Sequence, residues 1–487
     1  MEVRTRPVDR PAKNGPSPRR QRPPSDAYGY RAILAVAVPL AATVGCFAIT
    51  LFTDRTLLMW YGPTSSAASV AAGNLYWAIV CIPVTAMGFI TPLASQALGR
   101  RRGRGRTAIR VWTLIWQCVW MTLACLPAFA LLAFFSRWMF EAFGHPAALA
   151  GEEARYFRTL LLVAPASMLE AGLTAFFVGR RITRPILRAN IASSVLNVVL
   201  DFWFIFGALG VPAMGVFGAA LATALSMWFK VGLFVWLLVR LQSFGRHRGA
   251  SWKPNLAVMF EIIGPGSTLG IQQLVRSGLF SFVLVAIGAA SVTGLAATSA
   301  ALSLYQLLSI PAIGLATALT VVTGQAFAAS GLQQVQQVVR RGLVIGSVVA
   351  GGLALLLLIV PDLLLEVSLG GLTAAERAEI EPLAVRLLRF AAVYAVADIA
   401  ALLLAATIKG LGRTTVILVA TALSGCLAVS LGWWLAPPEE AAAAHWWSVL
   451  VGWAALQAVL VGYATFRLLR RRHRTAASAA SLAQAAS

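Results

Sequence analysis

A polar stripe crosses an otherwise apolar stretch of the chain, "NIASSVLNVVLDFWFIFG". Its members recur at i, i+4, i+7 and i+11: Asn190, Ser194, Asn197 and Asp201. On a helix this spacing places them on one narrow face. Burial of an ionisable group within a membrane costs free energy, so such a residue is by default a candidate for a functional role. The stripe therefore predicts a buried carboxylate, Asp201, beside the carboxamide of Asn197.

A second acid, Asp54, is expected at a similar depth near the outer end of the first predicted helix. Asp201 lies about 25 Å beyond Arg184 at roughly 1.5 Å per residue. Two carboxyl groups that meet in a medium of low dielectric constant each favour protonation of the other, so the pair could take and release a proton. The alternative is structural: Asp54 neutralises Arg55 or caps its helix, and Asp201 with Asn197 only joins neighbouring helices.

Asp398 is a third candidate acid. It lies nine residues past Arg389, or about 14 Å along a helix, with Tyr394 on the same face. Arg276 follows Gln272 at i+4 and is a candidate partner for Asp398 or for an anionic substrate. A structural bond at Asp398 remains an alternative to a functional role.

Two further ionisable residues are harder to interpret from sequence. Glu170 is deep in its segment but has no polar stripe around it. Lys230 could pair with an acid, although a side chain that extends towards the membrane surface is favoured. Six residues are expected to face a substrate cavity: Thr50, Glu170, Gln272, Gln273, Arg276 and Tyr394.

These residues belong to a chain whose composition suits a bilayer. Of 487 residues 59% are hydrophobic and only 12% are charged, against about 25% charged in a soluble domain. Apolar runs of spanning length predict an all-α polytopic membrane protein with twelve transmembrane helices. They are placed at 31–59, 68–98, 107–135, 155–179, 185–208, 214–240, 257–289, 294–328, 337–361, 383–408, 414–436 and 446–469.

The net charge of +22 is concentrated in the tails and in every second loop, and one of these loops is assigned Lys409 together with Arg413. This alternation is the positive-inside pattern rather than a nucleic-acid site, and it predicts an inner or plasma membrane protein with both termini cytoplasmic. No CxxC pair, metal spacing, P-loop, nucleophile–base set or filter-like loop is apparent. The sequence thus indicates neither an enzyme nor a channel, and it suggests no cofactor and no metal.

The ends of the fourth and tenth helices match, in "VGRRITRPIL" and "KGLGRTTVIL". Aligning Gly179 with Gly410 also aligns Thr183 with Thr414. Two six-helix halves in parallel orientation are therefore expected, as in many secondary transporters. The predicted domains are a disordered basic cytoplasmic tail (1–30), an N-lobe (31–240), a cytoplasmic inter-lobe loop (241–256), a C-lobe (257–470) and a cytoplasmic tail (471–487), also expected to lack structure.

Several motifs resemble the MATE (multidrug and toxic compound extrusion) transporters, of the wider multidrug/oligosaccharidyl-lipid/polysaccharide exporter superfamily. "NVVLDFWFIFGALGVPAMGVFGAALAT", from Asn197, is similar to the helix 5–6 signature of that family. Pro39 with Asp54, "SQALGR" from Ser95, and "YAVADIAALLLAATIKGLGRT" from Tyr394 resemble its helix 1, 2 and 10 motifs. The similarity covers nearly all of 31–470.

The resemblance implies a V-shaped, two-lobe antiporter that exports organic, chiefly cationic, small molecules against a gradient of H+ or Na+. It implies cation or proton binding at Asp54, Asn197 and Asp201, and a second acid at Asp398. Where family members with an acidic second lobe have a helix 7 Glu, this chain has "GIQQLVRSG", which includes Arg276 and permits an anionic or zwitterionic cargo.

The sequence therefore predicts an ion-coupled antiporter that works by alternating access. The expected partners are a small-molecule substrate and membrane lipid, without nucleic acid, and the expected working unit is a monomer. The alternative is a flippase for a lipid-linked saccharide or another lipid precursor, which would need a cavity rich in Arg and Lys. A membrane enzyme or a channel has no supporting motif.

Overall fold

The structure, a computed structural model, describes residues 28–61, 63–99, 104–142, 147–207, 210–240, 252–369, 374–435 and 442–485. These residues form helices and connecting loops, and no strand occurs among them. The helices are α1 Tyr30–Tyr61, α2 Pro63–Gly88, α3 Ile90–Gly99, α4 Arg104–Ala142, α5 Ala147–Gly179, α6 Arg184–Phe206, α7 Val216–Arg240, α8 Leu256–Ala290, α9 Val292–Leu308, α10 Ile310–Ser330, α11 Leu332–Ile359, α12 Pro361–Leu369, α13 Ala374–Gly410, α14 Thr414–Trp434 and α15 Ala442–Ala485. Within these ranges twelve helical segments are long and apolar enough to cross a membrane, which confirms the predicted fold class.

Two predicted helices, 68–98 and 294–328, are each broken into two pieces. The first break is at Phe89, between α2 and α3, and the second is at Ser309, between α9 and α10. Proline follows each break within three residues, at Pro92 and Pro311, where its missing N–H is tolerated in the first turn of the next helix. The two breaks occur in corresponding helices of the two halves, where broken helices often surround a transporter's binding site.

The described ends of the chain differ from the predicted tails. Residues 1–27 lie outside the described part, but Tyr28 is buried and its carbonyl accepts a hydrogen bond from Arg341 Nη1 at 2.7 Å. At the other end α15 continues to Ala485, whereas an unstructured tail was expected after Arg474. Alanine, the strongest helix former, extends the helix there.

The inter-lobe connection is only partly described, because residues 241–251 lie outside the described ranges. Its last residues dock on α4: Trp120 Nε1 donates to the carbonyl of Trp252 at 2.7 Å, and Gln117 bonds the carbonyl of Lys253 and the N–H of Asn255. These contacts fix the start of α8 against the first half. The exact domain limits predicted from the sequence stay predictions.

The halves contact each other in a symmetric manner. Helix α1 of the first half packs on α10 of the second, and α8 of the second half packs on α2 of the first. A Cβ at Gly314 would lie 2.6 Å from the backbone nitrogen of Ala41, and a Cβ at Gly266 would lie 2.6 Å from Cα of Ala86. Only glycine permits such close approach of two backbones, so Gly314 and Gly266 allow the two halves to pack closely against each other.

A pair of reciprocal hydrogen bonds joins the halves at one membrane face. Gln96 Nε2 donates to the carbonyl of Gly410 at 2.9 Å, and Gln325 Nε2 donates to the carbonyl of Gly179 at 3.0 Å. In each bond the glutamine lies in one half and its glycine partner lies in the other. We call these four residues the glutamine latch, and the face on which they lie, next to Arg180 and Arg413, the basic face.

Candidate functional site

The first lobe places two acids opposite one another on α1 and α6. Asp201 lies in the last two turns of α6, and Asp54 lies two turns before the end of α1, so packing of these helices brings them to one depth. The carboxyl group of Asp54 lies close enough to that of Asp201 for the two groups to interact. Asp201 is fully buried and Asn197 is 1% exposed. The structure thus brings together the three residues that the sequence singled out here.

These buried groups are not satisfied by the protein. Neither carboxyl oxygen of Asp201 and neither side-chain atom of Asn197 accepts or donates a hydrogen bond to a described residue. Buried polar atoms without a partner are rare and require an explanation, such as an ion or water. Oxygen ligands suit a proton or a hard cation such as Na+, so the arrangement fits a site that exchanges one of these.

Below this pair, the stripe on α6 meets an ion pair inside the first lobe. Lys230 Nζ lies 3.5 Å from Glu170 Oε1 and 3.5 Å from Asn190 Oδ1, and Thr174 donates to Glu170 at 3.0 Å. The expectation that Lys230 extends towards the membrane surface was therefore wrong. A buried ammonium group is stabilised more by pairing with a carboxylate than by packing of its alkyl chain alone. Glu170 is correspondingly a partner of Lys230 in this structure.

The second lobe has a different acid site, in which a protein cation occupies the place opposite Asp398. Arg276 Nη2 lies 2.6 Å from Asp398 Oδ1, and the Tyr305 hydroxyl donates to Asp398 Oδ2 at 2.6 Å. The rings of Tyr305 and Tyr394 meet edge to face, with centroids 5.1 Å apart. Both carboxyl oxygens therefore have partners, in contrast to those of Asp201.

A cavity of about 410 Å³ lies between the halves and extends into the second lobe. Among the polar residues on its wall are Gln272, Gln273, Arg276, Lys409 and Gln457. Three other predicted cavity residues, Thr50, Glu170 and Tyr394, do not line this cavity. Thr50 bonds the carbonyl of Cys46 within its own helix, and Tyr394 is buried against Tyr305.

Three candidate functional residues were not predicted from the sequence. Lys409 was assigned to the charge pattern of the loops because it adjoins Arg413, yet it lines the cavity. Tyr305 was missed because its partner, Asp398, is 93 positions away. Thr421 accepts hydrogen bonds from the amides of both Gln272 and Gln457, at 3.3 and 3.0 Å. A tyrosine or threonine within an apolar run gives no local signal of such a role.

Twelve apolar spans among the described residues, arranged in two similar halves with broken helices and buried acids, are typical of a membrane transporter. The MatE family model matches residues 39–203 and 269–434, one stretch in each half and more than half of the chain together. The chain belongs to the MatE family. It is a multi-pass membrane transporter and not an enzyme.

Sequence comparison gives relatives of similar length. The chain is 29% identical over 426 residues to a probable multidrug resistance protein NorM of Burkholderia mallei, covering 86% of this chain and 89% of that protein. It is also 29% identical over 434 residues to the multidrug resistance protein NorM of Burkholderia vietnamiensis, covering 88% of this chain and 92% of that protein.

Solved structures show the same fold. A crystal structure of a MATE transporter in a bent conformation superposes with a TM-score of 0.79 at 19% identity, covering 92% of this chain and 98% of that one. An outward-facing MATE transporter of the MOP superfamily gives a TM-score of 0.76 at 20% identity, covering 91% and 96%. At these identities the likeness shows the fold alone.

Proposed function

We propose that this transporter exports drugs and related organic small molecules in exchange for H+ or Na+. The observation that supports ion exchange most directly is the buried set of Asn197 and Asp201, whose polar atoms have no hydrogen-bond partner among the described residues. Asp54 faces the same site. The names of the NorM relatives support drug export.

In this proposal the coupling ion binds only in the first lobe. There a proton or Na+ would neutralise the carboxylates of Asp54 and Asp201, which repel each other when both are charged. In the second lobe Arg276 already pairs with Asp398, so the carboxylate of Asp398 is not free to bind a second exchangeable cation. The expected working unit, a monomer surrounded by lipid and without nucleic acid, stays a prediction.

The direct test is export from proteoliposomes under separately imposed H+ and Na+ gradients. One gradient is expected to drive accumulation of a drug-like dye, and the other is expected to have no effect. Export that is equally fast without either gradient would contradict coupling. The proposed cytoplasmic location of both ends is tested with cysteines introduced at the two chain termini. A membrane-impermeant thiol reagent added to intact cells is expected not to label them.

A flippase for a lipid-linked saccharide is the second candidate, because Arg276 and Lys409 give the cavity a basic wall. Pyrophosphate or phosphate in such a lipid would need cationic partners of this kind. Movement of a labelled anionic lipid between leaflets of proteoliposomes, without export of any soluble dye, would favour this function over drug export.

The glutamine latch predicts how the transporter changes conformation. Replacing both Gln96 and Gln325 with alanine removes two inter-lobe hydrogen bonds of about 1 kcal/mol each, which would shift the open–closed equilibrium at the basic face roughly 30-fold. Cross-linking of cysteines introduced at Leu98 and Ala329, which line one small pocket beside the latch, is expected to fall sharply.

The matched control for the latch is Gln333→Ala. Gln333 is an exposed glutamine at the start of α11, near the same face. Its replacement is expected to leave cross-linking unchanged. Equal cross-linking in the latch variant and the control would show that the two hydrogen bonds do not hold the halves closed.

A further inference from the structure

The ionisable side chains on the wall of the cavity between the halves are all basic. Arg276 and Lys409 are its ionisable residues, and no acidic side chain is among the described residues that line it. Arg276 shares its charge with Asp398, behind the wall. Lys409 forms no ion pair with a carboxylate of the described chain. One positive charge in the cavity is therefore uncompensated.

The position of Lys409 separates it from the basic loops. It is only partly exposed at the end of α13, 11 residues beyond Asp398, or about 16 Å along the helix. The adjacent residue, Gly410, accepts the latch hydrogen bond from Gln96. A lysine whose role was only to orient the protein in the membrane would extend into solvent, as Arg413 does.

The rest of the wall suits an organic molecule with a polar end. Leu269, Ile313 and Ile417 supply apolar surface, and Trp77 is the aromatic residue among the lining side chains. The amide of Gln273 adds a hydrogen-bond donor. Binding of an organic cation generally uses several aromatic faces or a carboxylate, and this wall has one aromatic side chain and no acid.

We propose that this cavity binds an organic anion or zwitterion, whose carboxylate, sulfonate or phosphate group pairs with Lys409. The inference names the substrate class for the function proposed above and so rests on it. An ammonium on a cavity wall without a protein counter-ion is a favourable site for an anionic group. Because Lys409 adjoins the latch, the bound anion would lie against the contact that closes the halves.

Two xanthene dyes of similar shape and opposite charge provide the test. Binding of fluorescein, an anion, and of rhodamine 123, a cation, is measured by fluorescence anisotropy with the detergent-solubilised full chain. Fluorescein is expected to bind more tightly. Lys409→Gln should weaken its binding about tenfold or more, as expected for loss of a charge-assisted bond. Lys409→Arg should retain it.

Arg413→Gln is the matched control, because it removes the same charge four residues away from an exposed position outside the cavity wall. Tighter binding of rhodamine 123, or unchanged fluorescein binding by a folded Lys409→Gln protein, would overturn the proposal. Folding is judged from monodisperse elution and the melting temperature. Retention of fluorescein binding by Lys409→Arg would show that the positive charge at this position is what the anion requires.

The binding assay uses no ion gradient, so its failure and the failure of ion coupling are separate results. Fluorescein binding without gradient-driven export would defeat the coupling proposal only. Competition by a fluorescence-silent phosphatidylglycerol, compared with phosphatidylcholine, identifies the source of the anion. Displacement by the anionic lipid would show a lipid headgroup as the ligand, and lack of displacement would show a soluble anion.

Discussion

Proteoliposomes that contain the Asp201→Asn protein are expected to export no substrate in response to an H+ or Na+ gradient. Asparagine keeps the size of the side chain but cannot take up a proton or neutralise a cation. Because Asp201 is fully buried and faces Asp54, its exchange between charged and neutral forms is the proposed link between ion and substrate movement. The measurement is dye accumulation against its gradient, compared with protein-free vesicles.

A control separates loss of coupling from loss of fold. Asp362→Asn removes the same charge from an exposed position on the short helix α12, and it is expected to export normally. The Asp201→Asn protein should still exchange labelled for unlabelled dye, because downhill exchange needs the cavity and not the gradient. Full gradient-driven export by this variant would remove Asp201 from the mechanism.

The sequence was informative about the first lobe for a physical reason. Asn197 and Asp201 lie on one helix, so their shared face follows from helical periodicity alone. The membrane spans were also predictable, since spanning length and low charge are local properties. Asp54 could be placed at the same depth by counting residues, but its contact with Asp201 required the packing of α1 on α6.

The second lobe was less predictable because its interactions join distant segments. The partner of Arg276 lies 122 positions away, and the sequence could only name Asp398 as a candidate. Lys409 was interpreted from its neighbours in the chain, whereas the path of α13 decides that it faces the cavity. Periodicity locates a face of a helix, and only the packing of helices decides what that face meets.

Replacing Arg276 with glutamine is expected to destabilise the protein by about 3 kcal/mol or more, because it leaves a buried carboxylate without its cation. Asp398 is 7% exposed, and Tyr305 would then be its remaining hydrogen-bond partner in the described site. The measurement is the melting temperature of purified protein in detergent. Asp398→Asn alone is also expected to lower it, since Arg276 is then left half-buried and unpaired.

The double variant Arg276→Gln, Asp398→Asn is expected to recover most of the lost stability, since neither charge remains and the two amides can hydrogen bond to each other. Additive losses in the double variant would show that the ion pair does not stabilise the lobe. Recovery would support the view that Arg276 permanently fills the position of a counter-cation for Asp398. Asp398, paired with the cation of Arg276, has no need to bind one from solution. Asp201 must obtain its proton or cation from outside the protein. The coupling ion is therefore expected in the first lobe.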